Sequence, residues 1–162
     1  MPRRANVVGH LLTFLPGELV EYDGVRLTTP ARTWLDLASM AGVDELVIVG
    51  DSLVCAHGRE FPAPRESLCT VAELRAMVAD HPGIRGIRAA RTALELIRVG
   101  ADSQPETMMR LALVRAGLPE PELNHVLWGL EVRVSKDDLT GGVPAVVRKV
   151  RAALESRGWR AR

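Results

Sequence analysis

The amino-acid sequence predicts an α/β protein of the helix-rich α+β type, with an N-terminal β-hairpin followed by helices. Two observations lead to this fold class. Asp23-Gly24 is a typical two-residue hairpin turn, and short strand-like segments flank it on both sides. After the hairpin, apolar residues recur at helical spacing in segments that begin at capping residues and end near glycine.

The first helix is predicted directly after the hairpin. Thr29 occupies the N-cap position, where its hydroxyl can accept a backbone N–H, and Pro30 occupies the first helical position. Trp34 lies on the apolar side of this helix, so we expect its side chain in the core. Gly42 is expected to end the helix.

Two further helices are predicted from their capping residues. Asp44 is expected to cap a helix that continues to His57-Gly58. Thr70 and Glu73 have the spacing of a capping box, in which the hydroxyl and the carboxylate each accept a backbone N–H. The helix that starts there should extend to about Asp80.

A basic amphipathic helix follows. Its apolar side is predicted to contain Ile87, Ala90, Leu94 and Ile97. The accompanying basic residues are Arg85, Arg88, Arg91 and Arg98. The helical pattern breaks at residues 100–102, and we place a domain boundary here, between a hairpin-and-helices region 1–100 and a second region 101–162.

The second region is predicted to contain a helix, two strands and a closing helix. The first helix opens at Ser103, which forms a capping box with Glu106, and it ends at Gly117. Residues 123–128 and 131–134 have the pattern of strands. A last stripe of apolar residues predicts the closing helix.

Composition and charge exclude several classes of protein. The chain is 47% hydrophobic and 25% charged, which is typical of globular domains and not of disordered chains. It has no apolar run near the ~18 residues of a membrane span and no secretory signal, so no membrane association and a cytoplasmic location are expected. Cys55 and Cys69 lack metal-ligand spacing and are expected to be buried and unpaired.

Two segments resemble a known family. The sequence DGVRLTTPARTWLDLA at 23–38, together with Gly50-Asp51-Ser52-Leu53, resembles the middle region of actinobacterial proteins related to AbiEi-type antitoxins. Residues 103–119 are similar to the start of the C-terminal endonuclease-like domain of such proteins, which is related to very-short-patch-repair nucleases of the PD-(D/E)xK type. Residues 133–139 and the closing helix resemble the end of that domain. The resemblance implies a restriction-endonuclease-like α/β domain with DNA or a toxin as partner.

The sequence departs from this family in two places. Such proteins usually begin with a winged helix that reads DNA, whereas only about ten residues precede Leu11 here. The nuclease domain usually carries its metal-binding strands in its centre, whereas two residues separate Trp128 from Glu131 here. We therefore expect a truncated and degenerate endonuclease-like domain.

Phosphodiester hydrolysis by such nucleases requires carboxylates from two adjacent strands to hold Mg²⁺. By its position, Glu106 is the residue that the resemblance makes a candidate catalytic residue, although Glu106 also fits the helix-capping role. Glu131 is a second candidate, but Arg133 poorly replaces the lysine that positions water. Glu21-Tyr22-Asp23-Gly24 matches the letters of the nuclease motif but continues as a returning strand. The sequence predicts no metal site, and its histidines, which lack zinc-site spacing, are expected to be solvated or capping.

Two basic stretches are candidates for nucleic-acid binding on a chain whose formal net charge is +1. The candidate residues are Arg85, Arg88, Arg91, Arg148, Lys149 and Arg151. Arginines on one side of a helix can bind phosphates nonspecifically, but they also serve the solubility of an arginine-rich protein. The sequence leaves both interpretations open.

The sequence therefore favours a noncatalytic antitoxin-like protein that binds DNA or a protein partner such as a toxin and needs no cofactor. One alternative is a Mg²⁺-dependent endonuclease that completes its site by dimerisation or with Glu106, Glu131 and Asp137 as carboxylates. Another alternative is a decaying gene product without a selected activity.

Overall fold

The computed structural model describes residues 12–57, 65–101, 103–123 and 136–160. They form six α-helices, a two-stranded antiparallel sheet and a short 3-10 helix, which confirms the predicted helix-rich α+β fold. The elements are β1 (Leu19–Tyr22), β2 (Val25–Thr28), α1 (Pro30–Leu37), α2 (Val43–Val54), α3 (Val71–Asp80), α4 (Ile87–Leu96), α5 (Gln104–Arg115), the 3-10 helix (Lys136–Gly141) and α6 (Val143–Glu155). The strands predicted at 123–128 and 131–134 lie outside the described residues, apart from Leu123.

The hairpin has the predicted strands and turn. Tyr22 pairs with Val25 across the turn, and Val20 pairs with Leu27. Asp23-Gly24 has positive φ at both residues, 48° and 77°, which is the conformation of a type I′ turn. This requirement for positive φ explains why an Asp-Gly pair stands at this position.

Capping residues begin α1 and α3 as predicted. The Thr29 hydroxyl accepts the Arg32 N–H at 3.3 Å. Thr70 and Glu73 form the full reciprocal capping box: the Glu73 N–H donates to Thr70 Oγ1 at 3.1 Å, and the Thr70 N–H donates to Glu73 Oε2 at 2.7 Å. These contacts are local in sequence, which is why the sequence predicts both helix starts.

The predicted end of the first helix is wrong. α1 ends at Leu37, and Gly42 is instead the N-cap residue of α2, where its N–H donates to Glu45 Oε2 at 2.7 Å. Asp44, the predicted cap of α2, uses its carboxylate to bind the guanidinium of Arg115 from α5, with one N–O distance of 2.6 Å. The carboxylate of Asp44 therefore makes a tertiary contact, whereas the local sequence predicts that it caps α2.

The main core surrounds Trp34, as predicted. Its side chain is fully buried, and its Nε1 donates to the Leu46 carbonyl of α2 at 2.8 Å. α2 and α4 approach closely at Gly50, where a Cβ atom would lie 2.3 Å from Ile97 Cδ1. Residues of α1, α2, α3 and α4 fill this core, so these four helices form one packed unit.

A second, smaller apolar cluster lies between α5 and α6. Its buried residues are Met109, Leu113, Leu118, Val146 and Val150. α5 also contributes Leu111 to the main core, and α5 packs against both α2 and α6. The domain boundary placed at residue 100 stays a prediction, with α5 as the helix that connects the two clusters.

Candidate nucleic-acid interface

The start of α4 lies against the end of α1. Gly86, the N-cap residue of α4, has φ +86°, and a Cβ atom there would lie 1.9 Å from the carbonyl oxygen of Ala38. Only glycine satisfies both the positive φ and this approach without a shift of the backbone. The position of α4, and of the side chains on its first turns, therefore depends on Gly86.

Three of the predicted binding residues lie at this end of α4. Arg85, Arg88 and Arg91 are exposed, while Ala90 and Leu94 on the same helix are buried in the main core. None of the three arginines makes an ion pair with an acid within the described ranges. Their guanidinium groups are therefore available to an anion from outside the chain.

The electrostatics of α4 also favour an anion at its N-terminus. The first turn contains no acidic residue, and Glu95 near the C-terminus is the one acid in the helix. The partial positive charge of a helix N-terminus is stabilised by anions and destabilised by nearby cations. The three arginines add to this charge, so an external phosphate would be attracted by both.

Arg98, the fourth arginine of this stretch, has a structural role. Its Nε lies 3.0 Å from Glu120 Oε1, and its Nη1 donates to the carbonyls of Glu95 and Ile97 at 2.8 and 3.0 Å. Arg98 and Glu120 also line an open groove of about 390 Å³. Since its guanidinium is already paired, Arg98 is not part of the exposed set.

The second predicted set lies on α6 and is mostly engaged within the protein. Lys149 Nζ lies 2.5 Å from Asp138 Oδ1, and Arg151 Nη2 donates to the Ala116 carbonyl at 2.6 Å. Arg148 is exposed. α6 packs mainly against α5 and the 3-10 helix, whereas α4 packs mainly against α2 and α3, so the two basic sets belong to different parts of the fold.

Glu106 lies on the first turn of α5 and is exposed. Its Oε1 accepts the Ser103 hydroxyl at 3.0 Å, but the Ser103 side chain accepts no N–H from the helix, so the contact differs from the predicted capping box. Glu131 and the side chains of Lys136 and Asp137 lie outside the described part of the structure. Among the residues that are described, no three acids, histidines or cysteines are grouped as metal ligands would be.

A buried network that the sequence did not reveal connects α2 with α5. The Asp51 carboxylate is 1% exposed; its Oδ2 accepts Thr107 Oγ1 and Arg110 Nη2, each at 2.8 Å, and its Oδ1 accepts the Arg98 N–H at 2.7 Å. Arg110 Nη1 continues to Glu120 Oε1 at 3.2 Å. Both oxygens of the Asp51 carboxylate accept hydrogen bonds from other groups of the protein. We therefore infer that the network holds α5 on the main core.

A second buried network joins the segment before the hairpin to α1 and α3. The Glu18 carboxylate accepts from Arg32, from His81 and, at 3.0 Å, from the Leu15 N–H. Burial by itself raises the pKa of Glu18, but the hydrogen bonds from His81, Leu15 and Arg32 and the charge of Arg32 bring it below its usual value. His81 is the C-cap residue of α3, in keeping with one of the two predicted roles, and its ring is also an internal partner of Glu18.

Cys55 and Cys69 are both buried and do not form a disulfide with each other, as predicted. α2 ends at Val54, earlier than the predicted His57, because Cys55 is already in extended conformation. Cys55 Sγ lies 3.5 Å from His57 Nε2. Burial, and secondarily the charge of Glu73, raises the pKa of the Cys69 thiol to about 11, so Cys69 is protonated at neutral pH.

Comparisons with known proteins give limited matches. Over 67 residues the chain is 39% identical to Uncharacterized protein MT2308 of Mycobacterium tuberculosis strain CDC 1551 / Oshkosh and to Uncharacterized protein Rv2248 of strain ATCC 25618 / H37Rv. The match covers 41% of this chain and 25% of the length of each relative. No protein-family model and no solved structure matches the chain. In the part that the structure describes, no helix has the length and apolar character to cross a membrane.

Proposed function

We propose that this chain is a noncatalytic DNA-binding protein that contacts phosphates through α4. The observation that carries this proposal is the set of three exposed arginines, Arg85, Arg88 and Arg91, which have no acidic partner in the described ranges. They stand beside the N-terminus of the helix, where a phosphate is favoured by the helix dipole as well. The contact is to the backbone of the nucleic acid and does not read base sequence.

The spacing of the arginines suits a phosphate backbone. Arg88 and Arg91 are three residues apart on α4, which corresponds to a rise of roughly 4.5 Å, and Arg85 lies in the turn just before the N-cap residue Gly86. Successive phosphates of one DNA strand rise by about 3.4 Å along the duplex axis, and long arginine side chains bridge the difference. Two or three phosphates can therefore be contacted at once.

The competing explanation, that these arginines serve solubility, accounts poorly for their position. A helix gains stability from acids in its first turn and from basic residues in its last turn. In α4 the first turn contains Arg88 and the last turn contains Glu95, which is the reverse of this order, and the C-terminal carbonyls of Glu95 and Ile97 are bonded by Arg98 from beyond the helix. This arrangement is unfavourable to the isolated helix. It is therefore better explained by the binding of an external anion than by solubility.

The antitoxin-like role, a toxin partner and a cytoplasmic location belong to the same proposal. They follow from the resemblance of residues 23–38 and 103–119 to AbiEi-related proteins. The noncatalytic part of the proposal is supported by Glu106, which is bonded to Ser103 on an exposed helix turn.

Fluorescence anisotropy with a labelled duplex tests the proposal. We expect the triple variant Arg85→Ala, Arg88→Ala, Arg91→Ala to bind about tenfold or more weakly than the wild type at low salt. The matched control is Arg26→Ala, Arg157→Ala, Arg160→Ala, which removes the same charge from three other exposed arginines and should bind nearly as well as the wild type. Equal losses in the two variants would show that net charge, rather than α4, determines binding.

The same protein preparations test the absence of catalysis. With supercoiled plasmid and either Mg²⁺ or Mn²⁺, the wild type is expected to leave the DNA intact. Cleavage that disappears in Glu106→Ala would contradict the noncatalytic assignment and support the endonuclease alternative. Cleavage that is unchanged in that variant and that stays with the protein through repurification also contradicts the noncatalytic assignment, because Glu131 and Asp137 are further carboxylates of the endonuclease alternative.

A further inference from the structure

The buried side chain of Glu18 fixes the hairpin to the helices. Glu18 lies directly before β1, and its carbonyl accepts the Thr29 N–H at 2.9 Å across the base of the hairpin. Within the described residues, β1 and β2 pack mainly against each other rather than against a helix. Glu18 itself is 4% exposed, and its carboxylate binds Arg32 of α1 and His81 at the end of α3. The attachment of the hairpin therefore depends on this carboxylate and its partners.

His81 connects Glu18 to a part of the chain that is distant in sequence. It is the C-cap residue of α3, 63 positions after Glu18, and its Nε2 contacts Glu18 Oε1. Its side chain is 15% exposed, so the contact is largely shielded from solvent. Histidine is the side chain type whose charge ordinarily changes between about pH 5 and 8, whereas arginine stays charged. Of the two side chains that bind Glu18, only His81 is therefore of a type that changes charge near neutral pH.

The charges around Glu18 are balanced only when His81 is protonated. Glu18 and Asp36 both pair with Arg32, so these three charges sum to −1, and a protonated His81 brings the sum to 0. We call these four residues the Glu18 cluster. The nearest charged residues along the chain on either side of His81 are exposed and opposite in sign, namely Asp80 and Arg85. Unbalanced charge is costly where water is excluded, so the cluster is most stable with the proton on His81.

We propose that His81 is a pH-sensitive clamp, which in its protonated form holds the hairpin on α3 and loosens it as the pH rises. The protonated imidazole forms an ion pair with Glu18, whereas the neutral imidazole donates one N–H and leaves the cluster with a net negative charge. The pKa of Glu18 lies below its usual value, so the carboxylate stays charged over the range in which histidine titrates. The ion pair is therefore present at mildly acidic pH and is lost as His81 releases its proton.

The element that responds is the hairpin rather than the helical core. A two-stranded hairpin is marginally stable in water unless another element holds it, and such elements open locally at a lower free energy than the whole protein. α2, whose Leu46 and Val47 are fully buried in the main core, contributes no residue to the Glu18 cluster. The inference is also independent of the proposed DNA binding, because no residue of the cluster belongs to the α4 arginine set.

Hydrogen exchange of the wild-type protein between about pH 5.5 and about pH 8 tests the proposal. After correction for the intrinsic pH dependence of exchange, we expect the protection of amides in residues 19–28 to fall about threefold or more relative to those of α2 as the pH rises. This measurement does not depend on the folding of a variant. A ratio of hairpin to α2 protection that stays constant over the range overturns the proposal.

Variants separate the titration of His81 from a purely structural role. His81→Gln keeps a side chain that can donate to Glu18 but cannot gain a charge, so its hairpin protection should not change with pH relative to α2. Asp36→Asn removes one negative charge of the cluster and should reduce the wild-type change by about half or more. His57→Gln, at the other histidine of the described ranges, is the matched control and should respond to pH like the wild type. A full wild-type response in His81→Gln or in Asp36→Asn, or its loss in His57→Gln, contradicts the proposal.

Discussion

Glu18 is a buried carboxylate whose charge is stabilised by its surroundings. Arg32, the partner of Glu18, is 1% exposed, donates from Nε to Asp36 Oδ1 at 3.0 Å and from Nη1 to the Thr13 carbonyl at 3.1 Å, and lies 4.6 Å from the centre of the Phe14 ring. Besides Glu18, the Arg32 guanidinium therefore has one acidic partner and one carbonyl acceptor. Loss of the carboxylate would leave it with a buried and incompletely compensated charge.

We expect Glu18→Gln to lower the free energy of unfolding at pH 7 by about 3 kcal/mol. The pKa of Glu18 is below its usual 4.5 in the folded state, so its contribution is fully present above pH 4.5 and is lost as pH falls through the folded-state pKa. Urea unfolding from pH 7 to acid pH measures this: the wild type should lose stability more steeply than the variant. Glu21→Gln, at an exposed hairpin position, is the control. Parallel pH curves for the wild type and Glu18→Gln contradict the assignment.

Side-chain contacts between residues far apart in the sequence could not be predicted from it. Asp51 and Arg110 are separated by 59 positions, and no local pattern indicates that their side chains meet. The same holds for Glu18 and His81. The exposure of residues such as Arg88 and Arg91 was easier to predict, because amphipathic spacing places them opposite the apolar side of a helix.

At the scale of elements, the start of α3 and the hairpin turn are encoded locally, whereas the end of α1 and the start of α2 are not. Thr70 and Glu73 determine the start of α3 through contacts within four residues, and the Asp23-Gly24 turn determines the hairpin register in the same way. The end of α1 depends on where the chain turns to begin α2, whose N-cap residue is Gly42. Local sequence cannot distinguish a glycine that ends one helix from a glycine that begins the next.

Gly86 gives a test of how α4 is positioned. We expect Gly86→Ala to lower the free energy of unfolding by about 3 kcal/mol, because it adds strain at positive φ and a clash with the Ala38 carbonyl. Gly117→Ala is the matched control, since Gly117 also has positive φ, +71°, but open space around its Cβ position. The control should cost about 1 kcal/mol from strain alone. Thermal or urea unfolding of both variants gives the comparison, and equal losses would contradict a close α1–α4 contact.

At the scale of the whole molecule, the basic residues separate into exposed and engaged groups. Arg98, Lys149 and Arg151 all look like surface charges in the sequence, yet each is held by an acid or a carbonyl in the structure. Arg85, Arg88 and Arg91 are not held in this way by described residues. The sequence predicts where positive charge is concentrated, whereas the fold determines which charges are available.

The most direct measurement of the central claim is the salt dependence of DNA binding. Each phosphate contact contributes about 0.9 to the slope of log K against log salt concentration on duplex DNA. We predict that the triple variant Arg85→Ala, Arg88→Ala, Arg91→Ala has a slope shallower than the wild type by about 2 to 3. The Arg26→Ala, Arg157→Ala, Arg160→Ala control should keep the wild-type slope. A wild-type slope that is unchanged in the α4 variant, or the absence of binding at low salt, would contradict the account.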